Sequence, residues 1–550
     1  KALTGSEKKY TGGMTMKKRT AKVFAMTIAS LFVLSACSGT ASNQTSTGET
    51  AGAAGTTDTT VPSSTGQSSG GNHFTYVIGT EPLTMDTHLM SDANTGRVSV
   101  QIHENLVKRD LEGNFQPVLA TEWSPNEDAT EWTFKLREGV TFHDGEPFNA
   151  EAVKYNIERL KDPATGSPKS SLVTMISDFD IVNDYEIKFI LDQPCAVIPA
   201  MVSTYSTGMM SPKALEEYGK DYSTHAAGTG PLKLKEWIPG TSMSLEKNES
   251  YWGKAATAET IDIKIIAEDS ARAMMLKTGD ADVAANIPSV LVDELQSDPN
   301  VEIEMVPGYR TIYLGLNFQD EKLANLKVRE AIDYAIDRDA IINGILGGYV
   351  TYPSTGVISS SIQNAKQGIG DDYKYDPEKA KQLLAEAGYP DGFTTKINTP
   401  EGRYAMDRQV AEAIQAMLSQ VGITAEVNVL DWGAYTEAAA AGDTEIFLLG
   451  KGCATGDLAQ DLMYNYRTGE LQNYTFYSNP EYDKVCEEQQ RTADENARKE
   501  LLYKMQDIIH EDRASIILYY ENQTFGTRAD VSGLVIYPNE TIELAYLARK

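Results

Sequence analysis

The chain has 550 residues, 49 Lys+Arg against 78 Asp+Glu, and a formal charge of −29 at pH 7. Binding a nucleic acid requires a basic surface that displaces its counterions, so nucleic acid is excluded as a partner. Three cysteines lie beyond Cys37, namely Cys195, Cys453 and Cys486. An odd number cannot all pair within the chain, so a disulfide framework does not hold the fold, although one pair and one free thiol would be compatible with it.

Taken in chain order, the first pattern is a basic run, Lys17-Lys18-Arg19, then an apolar stretch from Val23 to Ala36, then Leu34-Ser35-Ala36-Cys37. A charged region, a short apolar region and small residues before a cysteine make a bacterial lipoprotein signal. The apolar stretch is shorter than the roughly 20 residues that span a bilayer, which argues against a transmembrane anchor. Residues 1–36 are expected to be a signal peptide with an upstream extension before Met14 or Met16, and Cys37 the lipidated residue. Residues 1–36 carry seven basic and one acidic residue, so 42 basic face 77 acidic residues beyond them. From 38 to 72 there is no Lys, Arg or aromatic residue, and Ser, Thr, Gly and Ala dominate. Such a tract cannot bury enough apolar surface to order itself, so 37–72 reads as a lipidated Cys with a disordered linker.

The remaining residues, too many for one core, are expected to form two or three lobes of mixed α/β structure. Val328, Ala331, Ile332, Ala335 and Ile336 have helical spacing. Asp376-Pro377-Glu378 opens a helix by capping, with Leu383, Leu384 and Ala387 inward and Gly388 as its stop. Ile423 to Leu430 alternates as a half-buried strand does, and Glu445–Leu449 reads as a short buried strand. A third helix is expected from about Asp494 to Glu511, with Ala497, Leu501, Met505, Ile508 and Ile509 inward.

Catalytic motifs are missing. There is no G-x-S-x-G elbow and no Walker loop. His88, His103, His143, His225 and His510 are scattered without metal-ligand spacing. His143-Asp144-Gly145 reads as a hairpin turn. Neither a cofactor nor a metal is expected, and the chain is read as a non-enzyme.

Four segments read together: Phe142–Val153, Gly228–Pro231 with Trp237 and Gly240, Val328–Arg338, and Leu383–Phe393. The set resembles the family 5 extracellular solute-binding proteins of peptide and nickel ABC importers, across residues 73–550 in order. Thr399–Tyr404, Val410–Gln415, Leu430–Tyr435, Ala454–Asp457 and Phe476–Pro480 resemble its glutathione-binding branch.

The resemblance implies an α/β fold, a two-lobed periplasmic-binding-protein-like clamp with an extra subdomain inserted in lobe I. Lobe I would span 73–308, with the insert at about 100–227. Lobe II would span 309–520, and 521–550 would return to lobe I. The chain would cross between the lobes near Tyr309-Arg310 and Tyr519-Tyr520. The implied function is to capture glutathione or a related thiol peptide as a monomer and deliver it to an ABC permease driven by a separate ATPase. The protein would sit at the extracellular face of the membrane, held by its lipid. Other short peptides or a chelated metal such as nickel are the alternatives within the class; a lipid-anchored hydrolase in the same shell is the rival outside it. Arg403 sits close to the place where dipeptide-binding relatives carry an arginine that grips the ligand carboxylate. An arginine fork gives two parallel hydrogen bonds to that group. Those relatives carry an amine-holding aspartate where this chain has Ala454, and the family usually has Trp where this chain has Lys451. Trp432 is expected either to wall the cleft or to fill the core. Lys451, Thr455 and Asp457 lie on a glycine-rich loop after a buried strand, where α/β lobes often bind ligands, and Asp457 reads equally as a turn residue.

Overall fold

The computed structural model describes residues 72–550 except Ser91 and Ala454. The signal, Cys37 and most of the linker lie outside the described residues. One sheet of 11 strands runs through the described chain. Its spine is a pair of long antiparallel strands, Val301–Leu316 and Ser515–Arg528. Their register breaks between Pro307 and Thr311 and slips again between Ile312 and Tyr313.

Each half of the spine carries different strands. On one side Val283–Ala285 pairs with Ser515–Arg528, followed by His73–Ile78, Thr260–Ile265, Ser242–Lys247 and Leu232–Ile238. On the other, Ile446–Lys451 pairs with Thr311–Leu316, followed by Thr394–Pro400 and Thr424–Leu430. Separate apolar cores form on the two sides: Phe74, Tyr76, Ile261 and Phe525 meet in one, Leu314, Ile332, Ile414 and Leu448 in the other. The molecule is therefore two-lobed. A further four-stranded antiparallel sheet, from Ala120–Pro125, Glu131–Leu136, Glu186–Leu191 and Ile176–Asn183, packs with helix Ala150–Lys161 around its own core of Phe134, Phe189 and Ile157.

Local signals act where they stand. Helix Pro377–Glu386 begins with the Asp376 carboxylate accepting the Lys379 N–H at 2.9 Å, and buries Ala380, Leu383 and Leu384. Gly388 follows at φ 94°, a left-handed conformation that costs glycine little. The helix Glu495–Glu511 corrects one expected face. Leu502, Met505, Gln506 and Ile509 are buried, while Ala497 is exposed and Leu501 half-buried. A polar residue belongs to that inward stripe: Gln506 donates to the carbonyls of Asn364 and Leu502 and accepts from the Lys366 N–H. A stripe drawn through apolar residues alone is rotated from the true one. Cys195, Cys453 and Cys486 are all free and buried.

Two buried histidines and a half-buried one couple stability to pH. His103 sits 3.0 Å from both Ser99 Oγ and Tyr222 Oη, and burial pulls it down to about 3. Burial likewise pulls His143 down to about 4, and His88 well below its ordinary value, helped there by the Arg159 charge. The folded state keeps these rings neutral at pH 5, whereas an unfolded histidine binds a proton below about 6.5. The unfolded chain then holds more protons, so stability falls as pH drops through this range. Each such ring is expected to contribute roughly 2 kcal/mol of loss between pH 7 and pH 5. Urea unfolding of wild type and His103→Asn at both pH values checks this: the variant should lose less on acidification, and equal losses would contradict it.

Candidate functional site

A cleft of about 640 Å³ lies where the spine strands cross between lobes. Arg97 and Asn286 wall it from one side, Arg403 and Cys453 from the other, and Tyr309, Arg310 and Glu521 come from the spine itself. Two of its four cationic side chains, Arg97 and Arg310, are already engaged. Arg310 pairs with Glu521 at 3.0 Å and Glu540 at 3.3 Å. Burial pushes the Glu521 carboxyl up, and Arg310 opposes that. Arg97 donates to the Glu540 carbonyl at 2.9 Å and to the side-chain oxygens of Asn94 and Asn286.

Arg403 differs. It is exposed, and among the described residues it forms no ion pair. Its guanidinium lies 5.0 Å from the Trp432 ring centroid and 5.5 Å from that of Tyr404. Trp432 is 40% exposed and stacks on Tyr435 at 5.6 Å, so it forms a shelf beneath the arginine rather than a core filler. The loop is held by Asp407, whose carboxylate accepts the N–H groups of Gly402, Arg403, Tyr404 and Arg408.

The other three expected residues sit elsewhere. Lys451 ends strand Ile446–Lys451, opposite Thr311, instead of lying in a loop. Its ammonium lies 4.6 Å and 4.3 Å from the ring centroids of Tyr313 and Tyr466. Burial lowers this amine to about 7, with the Asp461 charge opposing. Thr455 is buried; its carbonyl accepts from Arg109 Nε at 3.1 Å and its hydroxyl accepts the Asp457 N–H at 3.2 Å. The next residue, Gly456, has φ 63°, and a Cβ there would meet Arg109 Nε at 2.8 Å. Asp457 caps helix Leu458–Tyr466 and accepts from both terminal nitrogens of Arg498 at 2.9 Å. Burial raises its carboxyl, but Arg498 outweighs that and holds it below its ordinary value. Arg403 thus lines the cleft with Trp432 packed against it but outside the cleft wall, Thr455 and Asp457 stand together on a loop, and Lys451 stands apart. Ala454 lies outside the described residues.

Residues 114–473 match the family model for bacterial extracellular solute-binding proteins, family 5 Middle. The chain belongs to this family. Among its relatives, the glutathione-binding protein GsiB of Shigella flexneri is 33% identical over 473 residues, covering 84% of this chain and 91% of the relative. GsiB of Escherichia coli is 33% identical over 476 residues, with the same coverage. Among solved structures, HbpA2 from Haemophilus parasuis superposes with a TM-score of 0.78 at 24% identity, covering 87% of this chain and 100% of that one. The periplasmic binding protein DppA from Helicobacter pylori, in complex with the peptide STSA, gives 0.69 at 27% identity over 86% and 98%.

In this family 5 protein, several cleft residues escaped the sequence reading. Asp407 positions the Arg403 loop, and its signal was an acidic residue in the first turn of helix Asp407–Gln420. Arg97, on helix Ala93–Ser99, and Arg310 and Glu521, on the spine strands, carry no local signal, because only the tertiary fold brings them together. Among the described residues, no group of three or more His, Cys, Asp or Glu side chains is placed to hold a metal ion, and no helix is long and apolar enough to cross a membrane.

Proposed function

We propose that this solute-binding protein captures a small peptide-like solute, with glutathione or a related thiol peptide as first candidate, and delivers it to an ABC import permease. The reading is carried by 33% identity to glutathione-binding proteins over 84% of the chain. An unpaired arginine in the cleft supports it. Arg403 would take a ligand carboxylate, with Trp432 supporting its guanidinium; Thr455 and Asp457 would hold the loop that follows Lys451 in place rather than touch the ligand. Lobes at 73–308 with 521–550, and at 309–520, would close about the broken register of the spine. Only ligand contacts made in the closed state can shift the population toward it.

Calorimetric titration with glutathione tests the ligand. Saturable binding, with glutathione recovered unchanged after denaturation, is expected. No binding would overturn the ligand, and hydrolysis would favour the enzyme reading. Short peptides are the second reading, favoured by the peptide complex of the H. pylori relative.

Lipid anchoring at Cys37 belongs to the same proposal. Cys37→Ser should abolish incorporation of radiolabelled fatty acid and processing of the signal. Label persisting on the variant would contradict it. One acyl chain binds membranes only marginally, so a multiply acylated cysteine is expected.

A further inference from the structure

With Arg97 and Arg310 engaged, two cationic side chains of the cleft wall are left over, Arg403 and Lys169. They come from different parts of the fold. Arg403 follows strand Thr394–Pro400 of the 11-stranded sheet. Lys169 lies between helix Ala150–Lys161 and strand Ile176–Asn183, beside the four-stranded sheet. Its backbone is fixed: the Lys169 N–H donates to Ser167 Oγ at 3.1 Å, and its carbonyl accepts the Leu172 N–H at 3.0 Å. Its ammonium makes no hydrogen bond and no ion pair among the described residues, although the side chain is half-buried. It also walls a second cavity, of about 280 Å³, that adjoins the cleft. Carboxylates line both spaces and none answers it. Glu521 and Glu540 hold Arg310, Asp92 accepts the Thr95 N–H at 2.9 Å, and Asp461 accepts from Asn465 Nδ2 at 2.8 Å.

Withdrawing an ammonium from water without a partner costs free energy. Burial lowers the Lys169 amine, and no carboxylate opposes that. A carboxylate carried in by a solute supplies the missing partner through a charge-assisted hydrogen bond. The cleft wall as a whole has four cationic against three carboxylate side chains, so it favours an anionic occupant. Two unmatched cations in one cleft suit a solute with a carboxylate for each. We propose that Lys169 is a specificity residue that takes a second solute carboxylate, besides the one held by Arg403, so that the site selects peptide-like solutes with two carboxylates. The inference rests on the peptide reading above and narrows it to acidic peptides. Glutathione, with one carboxylate on its glycine and another on its glutamate, is of this class. A solute bonded to both residues ties two separately folded parts of the chain together, and such contacts favour the closed state.

The test uses glutathione and its two mono-amides, in which either the glycine or the glutamate carboxylate becomes a neutral amide. Each is titrated calorimetrically into the full chain, Lys169→Met and Arg403→Ala. Wild type should bind either amide at least about tenfold more weakly than glutathione, the low end for a hydrogen bond to a charged group. Lys169→Met should bring the discrimination against one amide below about threefold and keep it against the other, and Arg403→Ala should do the reverse. Unliganded Lys169→Met should unfold in urea no earlier than wild type, because its ammonium has no partner to lose. Wild type indifferent to either amide, or Lys169→Met still discriminating against both, overturns the proposal. A less stable Lys169→Met also overturns it, since the ammonium would then serve the fold. If glutathione does not bind, that ligand alone is lost, and the acidic dipeptide Ala-Glu is compared with Ala-Gln. A preference for Ala-Glu of at least about tenfold that Lys169→Met abolishes upholds the inference. Equal binding, or a preference that the variant keeps, overturns it, and failure of both dipeptides overturns the peptide reading and the inference with it.

Discussion

Arg403→Ala is expected to weaken glutathione binding by about 2–5 kcal/mol, the range for truncating one partner of a buried charged pair. The geometry supplies the reason. The guanidinium rests on an aromatic shelf, which orients its fork and strips part of its water. Arg310 cannot take over, because Glu521 and Glu540 already hold it. The loop itself does not depend on the Arg403 side chain, since Asp407 grips backbone N–H groups. Urea unfolding of the unliganded variant should therefore match wild type. Arg403→Lys should recover only part of the affinity, because a single ammonium cannot make two parallel bonds to a carboxylate. Unchanged affinity in Arg403→Ala would remove this residue from the site and leave the family assignment standing.

What the sequence made legible was local. The helix Pro377–Glu386 could be read because its cap, its proline and its apolar spacing all lie within a dozen residues. The strand Thr424–Leu430 could be read because alternation has a period of two. Lys451 could not be placed, because Gly450 and Gly452 on either side read as loop, while the strand that extends through it depends on Thr311, far away in the chain. Trp432 stood undecided between wall and core for the same reason: its neighbours Arg403 and Tyr404 come from another loop. A cavity of about 280 Å³ beside the cleft left no trace in any one segment, because Lys169, Tyr205 and Asp461, which line it, come from three separated stretches. Resemblance to a family carried the two-lobed architecture, which no run of residues states by itself.

Asp457 is expected to stabilise the fold, and its replacement should show it. The carboxylate and the Arg498 guanidinium are only 11% and 12% exposed, and they meet through two bonds of 2.9 Å. Removing one partner leaves the other charge buried and uncompensated, which costs about 3–5 kcal/mol. Asp457→Ala also removes the cap that accepts the Ala459 N–H, a further loss of about 1 kcal/mol. Asp457→Asn keeps a good cap but loses the charge, so it should fall between alanine and wild type. The sign with pH follows from the lowered carboxyl: the contribution is present above its unfolded pKa of about 3.9 and disappears as pH falls through the folded value. Urea unfolding at pH 7 measures these losses, and Arg498→Met should show a comparable one. Affinity for glutathione, titrated where each variant is still folded, should stay near wild type. Wild-type stability with lost binding would reverse the assignment and make Asp457 a ligand contact, because a carboxylate that can be removed without cost to the fold is not committed to Arg498.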